Sequence, residues 1–268
     1  MLHQSQSDNH VLTFRSDLLE AAGVPHAFST RIGGVSKGPF ASLNLGNPGN
    51  CPVRDADANI AENFSRLLLA ANMPGRRLCR VHQVHGRELL ILGGAATPPA
   101  CHPADAIFTA DPALALSIST ADCVPILLAD THGRFVSAVH AGWRGVIADV
   151  LGVAIAAFEQ SGIARPDIIL AIGPCIGVDA FEVGQDVADQ FTHAFGPAAP
   201  IRTQFGHKPH VDLRAALVHQ ALRHGIAPGH IDTADLCTFR DTKLFFSHRR
   251  DHGITGRLAA VISPGACP

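Results

Sequence analysis

The residues of this chain that can do chemistry fall in three short segments. "VHQVHG" (81–86) carries His82 and His85, "ADC" (121–123) carries Cys123, and "HAGWRG" (140–145) carries His140 ahead of a Trp-Arg pair between glycines. Thiolate and imidazole are preferred ligands of zinc, and three protein ligands with an open fourth position make a catalytic site. His85, Cys123 and His140 supply such a set. Their separations of 38 and 17 residues are too long for a zinc finger, so the tertiary fold must assemble any site. The same residues permit a second chemistry. Cys123 is then a thiolate nucleophile with His140 as its base, as in cysteine hydrolases and amidases that edit cell-wall peptides. His85 is superfluous in that reading and necessary in the metal one. A third reading is inert: Cys123 is a small buried apolar residue and the histidines are core or surface groups.

Each segment lies at the end of an apolar strand candidate or just before one, where a rigid scaffold presents side chains to a cleft. Alternating or apolar runs predict strands over 24–30, 88–92, 114–120, 124–130, 134–141, 167–174, 231–237, 244–250 and 257–263. Helical periodicity predicts helices over 58–73, 145–162, 183–196 and 211–225, the last three closed by glycine. Strands come in runs and do not alternate strictly with helices, which favours an α+β fold with mixed β-sheets flanked by helices over a doubly wound one. Stretches 33–58 and 93–105 read as loops, the latter as an exposed crossing between sheet elements. The polar "MLHQSQSDNH" reads as a frayed tail, giving a flexible segment over 1–12 and one domain over 13–268.

Composition bounds the function. The chain has 268 residues, 47% apolar and 16% charged, with 21 basic and 23 acidic residues and a formal net charge of −2. It is long enough for a sizeable core, and nothing in its charge argues for nucleic acid or an anionic membrane. No run of 18 apolar residues predicts a membrane span. Seven cysteines at wide spacings, with no C-x-x-C, argue against a disulfide framework or zinc ribbon. With no export signature, the cytoplasm is the expected compartment. No G-x-G-x-x-G follows a strand and no P-loop occurs, so neither a dinucleotide site nor a P-loop phosphate site is indicated.

Eight blocks occur in an order characteristic of one family: "STRIGGVS" (29–36), "SLNLG" (42–46), "HQVHG" (82–86), "TADCVPILL" (120–128), "VHAGWRG" (139–145), "IGPCIG" (172–177), "FEVG" (181–184) and "FFSHRRD…TGR" (245–257). From about residue 24 to the C-terminus the chain resembles the polyphenol-oxidoreductase laccase-domain family, also described as the purine nucleoside phosphorylase family related to FAMIN. The resemblance implies a layered α/β/β/α domain and a metal, usually zinc, on His85, Cys123 and His140. It implies phosphorolysis of adenosine, inosine and methylthioadenosine, with adenosine deamination as an additional activity. The partners are then small molecules, a purine nucleoside and phosphate. Arg31, Arg144 and Arg249 lie in family blocks and are candidate phosphate or ribose ligands, since arginine is the natural planar partner of phosphate. Asn44 joins Arg31 and Arg249 as a substrate-binding candidate, and Arg144 joins Cys123 and His140 as a catalytic one. Glycines 33, 34, 142 and 145 would let backbone approach a ligand. Asp122 and Glu182 are the acid/base candidates, and Asp105 is a candidate support for a ligand histidine. Trp143 either anchors the core or lines a purine pocket. Cys175 reads as a buried thiol, and His82 stands outside the ligand set.

A laccase mechanism fits poorly. A multicopper oxidase needs about ten Cys and His ligands, many in H-x-H pairs, and this sequence has no H-x-H. Copper remains a conceivable occupant of a one-metal site, but d¹⁰ zinc there has no redox chemistry.

Overall fold

The structure is a computed structural model and describes residues 1–49, 51–93, 102–204 and 206–265. In chain order the first half contains β1 (Leu2–Gln6), β2 (Leu12–Ser16), α1 (Asp17–Ala21), β3 (His26–Ser29), α2 (Asp57–Ala70), β4 (Arg77–Cys79), β5 (Leu89–Leu92), β6 (Ala106–Thr109), β7 (Leu114–Thr120), β8 (Val124–Asp130) and β9 (Val136–Ala141). The second half contains α3 (Trp143–Ile147), α4 (Val150–Gln160), β10 (Ile168–Ile172), α5 (Gln185–Phe195), β11 (Ile201–Arg202), β12 (His210–Val211), α6 (Leu213–Arg223), β13 (Ile231–Thr233) and β14 (Leu258–Ile262).

Two six-stranded sheets carry the fold, ordered β1-β2-β3-β14-β7-β4 and β13-β10-β8-β9-β6-β5, with β11 and β12 as a small third sheet. Both large sheets are mixed: β4 and β7 run parallel, as do β5 and β6 and β10 and β13, among otherwise antiparallel neighbours. Alternation along each strand sorts the side chains into layers. On β8, Val124, Ile126 and Leu128 face α4, α5 and α6, while Leu127 and Ala129 face the other sheet. On β14, Leu258, Ala260 and Ile262 join that sheet-to-sheet core, while Ala259 and Val261 meet Ile60, Phe64 and Leu67 of α2. The order is therefore α/β/β/α in a single α+β domain. Central strands are buried on both faces, which is why they read as near-continuous apolar runs. Each fully buried Leu, Ile or Phe contributes about 1.5–3 kcal/mol of burial.

Four expectations need correction. Residues 1–12 are not a frayed tail: β1 pairs antiparallel with β2 from Leu2↔Ser16 to Gln6↔Leu12. It is an edge strand in which only Leu2 is buried, so its polar outward face hides it from a hydrophobic pattern. The helix expected over 145–162 breaks into α3 and α4. Asp149 adopts a left-handed backbone (φ 60), and its carboxylate accepts the Gly152 N–H as the α4 N-cap. The strand expected over 244–250 is a series of turns. Its backbone is spent locally and on a loop: Asp251 N–H donates to the Ser247 carbonyl, and Arg249 N–H donates to Asp122. The strand expected over 231–237 stops at Thr233. Strands β2, β4, β6, β11 and β12 and helix α1 lay outside the sequence expectation; these strands other than β2 have only two to four residues. The loop expected over 93–105 falls for the most part on residues 94–101, outside the described residues.

Candidate metal centre

Four neighbouring strands of the second sheet, β8-β9-β6-β5, each bring one piece of the site to the same place. Cys123 immediately precedes β8, His140 lies near the end of β9, Asp105 immediately precedes β6, and the Val84–Gly86 turn leads to β5. The register aligns them: Pro125 pairs with His140, Ala106 with Val139, and Leu89 with Ala106.

Asp105 is the hub. It is fully buried. Its carboxylate accepts the backbone N–H groups of Val84 at 3.3 Å, His85 at 3.0 Å and Gly86 at 2.7 Å. Its Oδ1 also lies 2.8 Å from Nδ1 of His140. One carboxylate thus fixes the backbone of one histidine and the ring of another. His85 needs this hold, because its φ of 60° lies in the left-handed region that most residues avoid. Burial pushes the Asp105 carboxyl up, but the donated hydrogen bonds of His140 and the backbone outweigh it and keep it below the usual carboxylate range.

With Nδ1 tied to Asp105, His140 leaves Nε2 for the cavity. The donor atoms of His85, Cys123 and His140 all lie within 4.8 Å of one another, and this is the only such group of three or more His, Cys, Asp or Glu among the described residues. The His85 and His140 rings meet edge to face, with centroids 4.9 Å apart. Burial pushes the Cys123 thiol up, but the charge and hydrogen bonds of His140 and then His85 overcome it and bring it to about 6. Burial pushes His140 down, but Cys123 and Asp105 raise it to about 9. Two imidazoles and a thiolate at this separation fit a borderline-soft divalent ion, and an aspartate behind a ligand histidine is the usual orienting arrangement. Gly142 closes the far side: a Cβ there would lie 2.9 Å from His85 Cδ2 and 3.3 Å from Cys123 Sγ.

The cluster forms part of the wall of a cavity of about 460 Å³. The other walls include Gly46, Asn47, Arg80, His82, Ser119, His248 and Arg257. Arg257 pairs with no carboxylate among the described residues. Burial holds it below the usual arginine range against the pull of Cys123 and Asp122.

These residues place the chain among known proteins. A family model described as "Multi-copper polyphenol oxidoreductase laccase" matches residues 25–264. The chain belongs to this family. Among its relatives, the purine nucleoside phosphorylase YfiH of Shigella flexneri is 40% identical over 241 residues, covering 90% of this chain and 93% of the relative. A purine nucleoside phosphorylase of Deinococcus radiodurans is 39% identical over 240 residues, covering 89% of this chain and 88% of the relative. The crystal structure of YlmD from Geobacillus stearothermophilus superposes with a TM-score of 0.88 at 32% identity, covering 98% of this chain and 99% of that one.

Of the residues singled out from sequence in this laccase-family chain, the fold unites His85, Cys123, His140 and Asp105. It places the candidate substrate ligands elsewhere than on the cavity wall. Arg31 donates to the carbonyls of Ala41 and Thr242 and lies over the Phe246 ring. Arg144 is exposed and stacks on Trp143, its guanidinium 4.2 Å from the ring centroid, while Trp143 packs against the helix-side core. Arg249 donates to the Glu182 carbonyl and lies over Phe181. Asn44 is fully buried and shapes the wall from behind, its Oδ1 accepting the N–H groups of Gly46 and Arg257. Asp122 is occupied by Thr238 and Arg249, and Glu182 pairs with Lys208. His82 lines the cavity but stands outside the donor cluster. Sequence reasoning passed over Arg257, although it closes the "TGR" block just before β14, and His248, which sits within the preceding block. Nothing in their local pattern separates them from neighbouring arginines and histidines.

Proposed function

We propose that this chain is a zinc-dependent purine nucleoside phosphorylase, cleaving adenosine, inosine and methylthioadenosine to free base and pentose 1-phosphate. The observation that carries the reading is a metal-type donor cluster lining one cavity with Arg257, an arginine that has no carboxylate partner among the described residues and whose Nη1 donates to the adjacent Gly256 carbonyl at 3.3 Å. The names of its relatives support the reaction class. His85, Cys123 and His140 would hold the ion, which when bound supplies a Lewis acid with an open position. Arg257 is our candidate phosphate ligand; Arg80 lines the same cavity but lies over the Phe64 ring. Holding the anion against the anomeric carbon turns a bimolecular attack into an effectively unimolecular one. A phosphate oxygen attacks that carbon, the glycosidic bond breaks, and the proton of hydrogen phosphate ends on the departing base. His248, whose ring carries no hydrogen bond among the described residues, lines the same cavity and can relay that proton. Adenosine deamination would require a proton-moving carboxylic acid at the site. Phosphorolysis is the activity we assign, because it is the reaction that the relatives' names carry.

A second reading also has geometry behind it. Asp105, His140 and Cys123 form a carboxylate-imidazole-thiolate chain of the kind that serves cysteine hydrolases. One assay separates the two. Metal-quantified protein is incubated with adenosine or inosine, with and without phosphate, before and after chelation, beside Cys123→Ala and Arg257→Ala. Phosphorolysis predicts phosphate-dependent release of free base, lost on chelation and in Cys123→Ala. Arg257→Ala should keep its metal and raise the KM for phosphate more than tenfold. No turnover at one metal per chain, with amide cleavage that survives chelation, would establish the hydrolase instead.

A further inference from the structure

Two cysteines that the proposed mechanism does not use face each other outside the metal cluster. Cys175 follows β10 and Cys237 follows β13, and they are partners in a parallel β-bridge. The Thr238 N–H donates to the Cys175 carbonyl at 2.9 Å. Partnered residues on adjacent parallel strands lie about 5 Å apart with side chains on one face, inside the Cα separation that a disulfide spans. Both are free thiols. Cys237 lines a cavity of about 670 Å³ beside Arg214, Arg240 and Arg250. Its Sγ accepts the N–H groups of Gly177 at 3.1 Å and Arg240 at 3.4 Å, so negative charge on this sulfur has donors ready. Cys175 is more deeply buried, and burial pushes its thiol up to about 12. Cys237 is thus the thiol that meets a reagent first.

The residue after each cysteine holds Asp122. Ile176 N–H donates to the Asp122 carbonyl at 2.9 Å, and Thr238 Oγ1 donates to Asp122 Oδ1 at 2.6 Å. Asp122 has a left-handed φ of 92° and is followed directly by Cys123. The position of the thiolate ligand is therefore set by two segments whose spacing is the Cys175–Cys237 spacing.

We propose that Cys175 and Cys237 form an oxidisable dithiol whose disulfide loosens the metal centre through Asp122. The oxidant is a peroxide. The Cys237 sulfur attacks a peroxide oxygen and the O–O bond breaks, giving a sulfenic acid and water or an alcohol. The Cys175 sulfur then attacks the sulfenic sulfur, the S–O bond breaks, and the hydroxyl leaves as water. Two thiols lose two electrons and two protons, and the peroxide takes up both. Turning the Cys237 sulfur onto Cys175 takes it from the Gly177 and Arg240 N–H groups that it now accepts, and the release of these segments moves Ile176 and Thr238, and with them the turn that presents Cys123.

The test uses the metal-loaded full chain and hydrogen peroxide. Free thiols are alkylated, the protein is digested without reductant, and cross-linked peptides are identified by mass. Metal affinity is measured in parallel against a chromophoric chelator. The expected result is a Cys175–Cys237 cross-link with a fall in affinity of about tenfold to a hundredfold, the usual effect of disturbing groups that orient ligands, restored by dithiothreitol. Cys175→Ala and Cys237→Ala, on separate segments in case one fails to fold, should bind metal and resist the peroxide effect. No cross-link, a cross-link with unchanged affinity, or undiminished loss in either variant would overturn the proposal, the last placing the oxidation on Cys123.

Discussion

At the scale of single residues, the centre is held by one carboxylate and poised by one proton. Asp105 orients His140 through its ring and His85 through its backbone, so its removal loosens two ligands together. Asp105→Asn should lower metal affinity about tenfold to a hundredfold while the sheets stay folded. The proton balance gives a second readout of the same geometry. Between about 6 and about 9, Cys123 is a thiolate while His140 retains its proton. Metal capture at pH 8 must expel that proton from His140, so affinity should rise with pH across this interval. Calorimetry in buffers of differing ionisation enthalpy should find about one proton released per metal. A count near zero would show that His140 is not held protonated.

At the scale of elements, the site depends on register. Cys123, His140 and Asp105 come from three adjacent strands, and the His85 turn leads into a fourth. A one-residue slip in any pairing would turn a ligand to the opposite face of the sheet. The approach of α3 to the cluster is set by Gly142, its N-cap, whose φ of −74° any residue can adopt. The constraint there is space and not backbone conformation. Gly142→Ala should therefore leave the melting temperature within a few degrees of the parent but cut metal affinity at least tenfold, as the methyl displaces His85. Unchanged affinity would mean that the ring has room to move. Strands β7 and β8 were legible in sequence to the residue, because buried central strands are apolar runs of unmistakable length. The 244–250 turns were not. Phe245 and Phe246 make that segment apolar by filling the core between the sheets, and composition cannot separate a buried loop from a buried strand.

At the scale of the whole molecule, the two sheets bury one core between them, and β1 seals the edge of one. Its Leu2 is buried, and its ladder to β2 is continuous over five residues. Removing residues 1–6 should cost about 2 kcal/mol of apolar burial and lower the melting temperature by roughly 4–8 °C. The donor cluster is carried by the other sheet, so one-to-one metal binding should persist below the transition. A truncated chain that melts with the parent would show β1 to be dispensable. No helix among the described residues is long and apolar enough to cross a membrane, in keeping with a fold whose apolar residues are consumed by three internal layers.

The sequence alone carried the fold class, most of the central strands and helices, and the three residues that the fold brings into one donor cluster. Periodicity is a local property, and thiolate and imidazole announce their chemistry by type. What only the tertiary structure decided is which polar residues share a cavity with them. Arg257 and His248 stand with the cluster, while Arg31, Arg144 and Arg249 are spent on carbonyls and aromatic rings. Every arginine carries the same charge and reach in a sequence. Whether its guanidinium is free for a ligand depends on neighbours contributed by distant strands, and chain order does not record them.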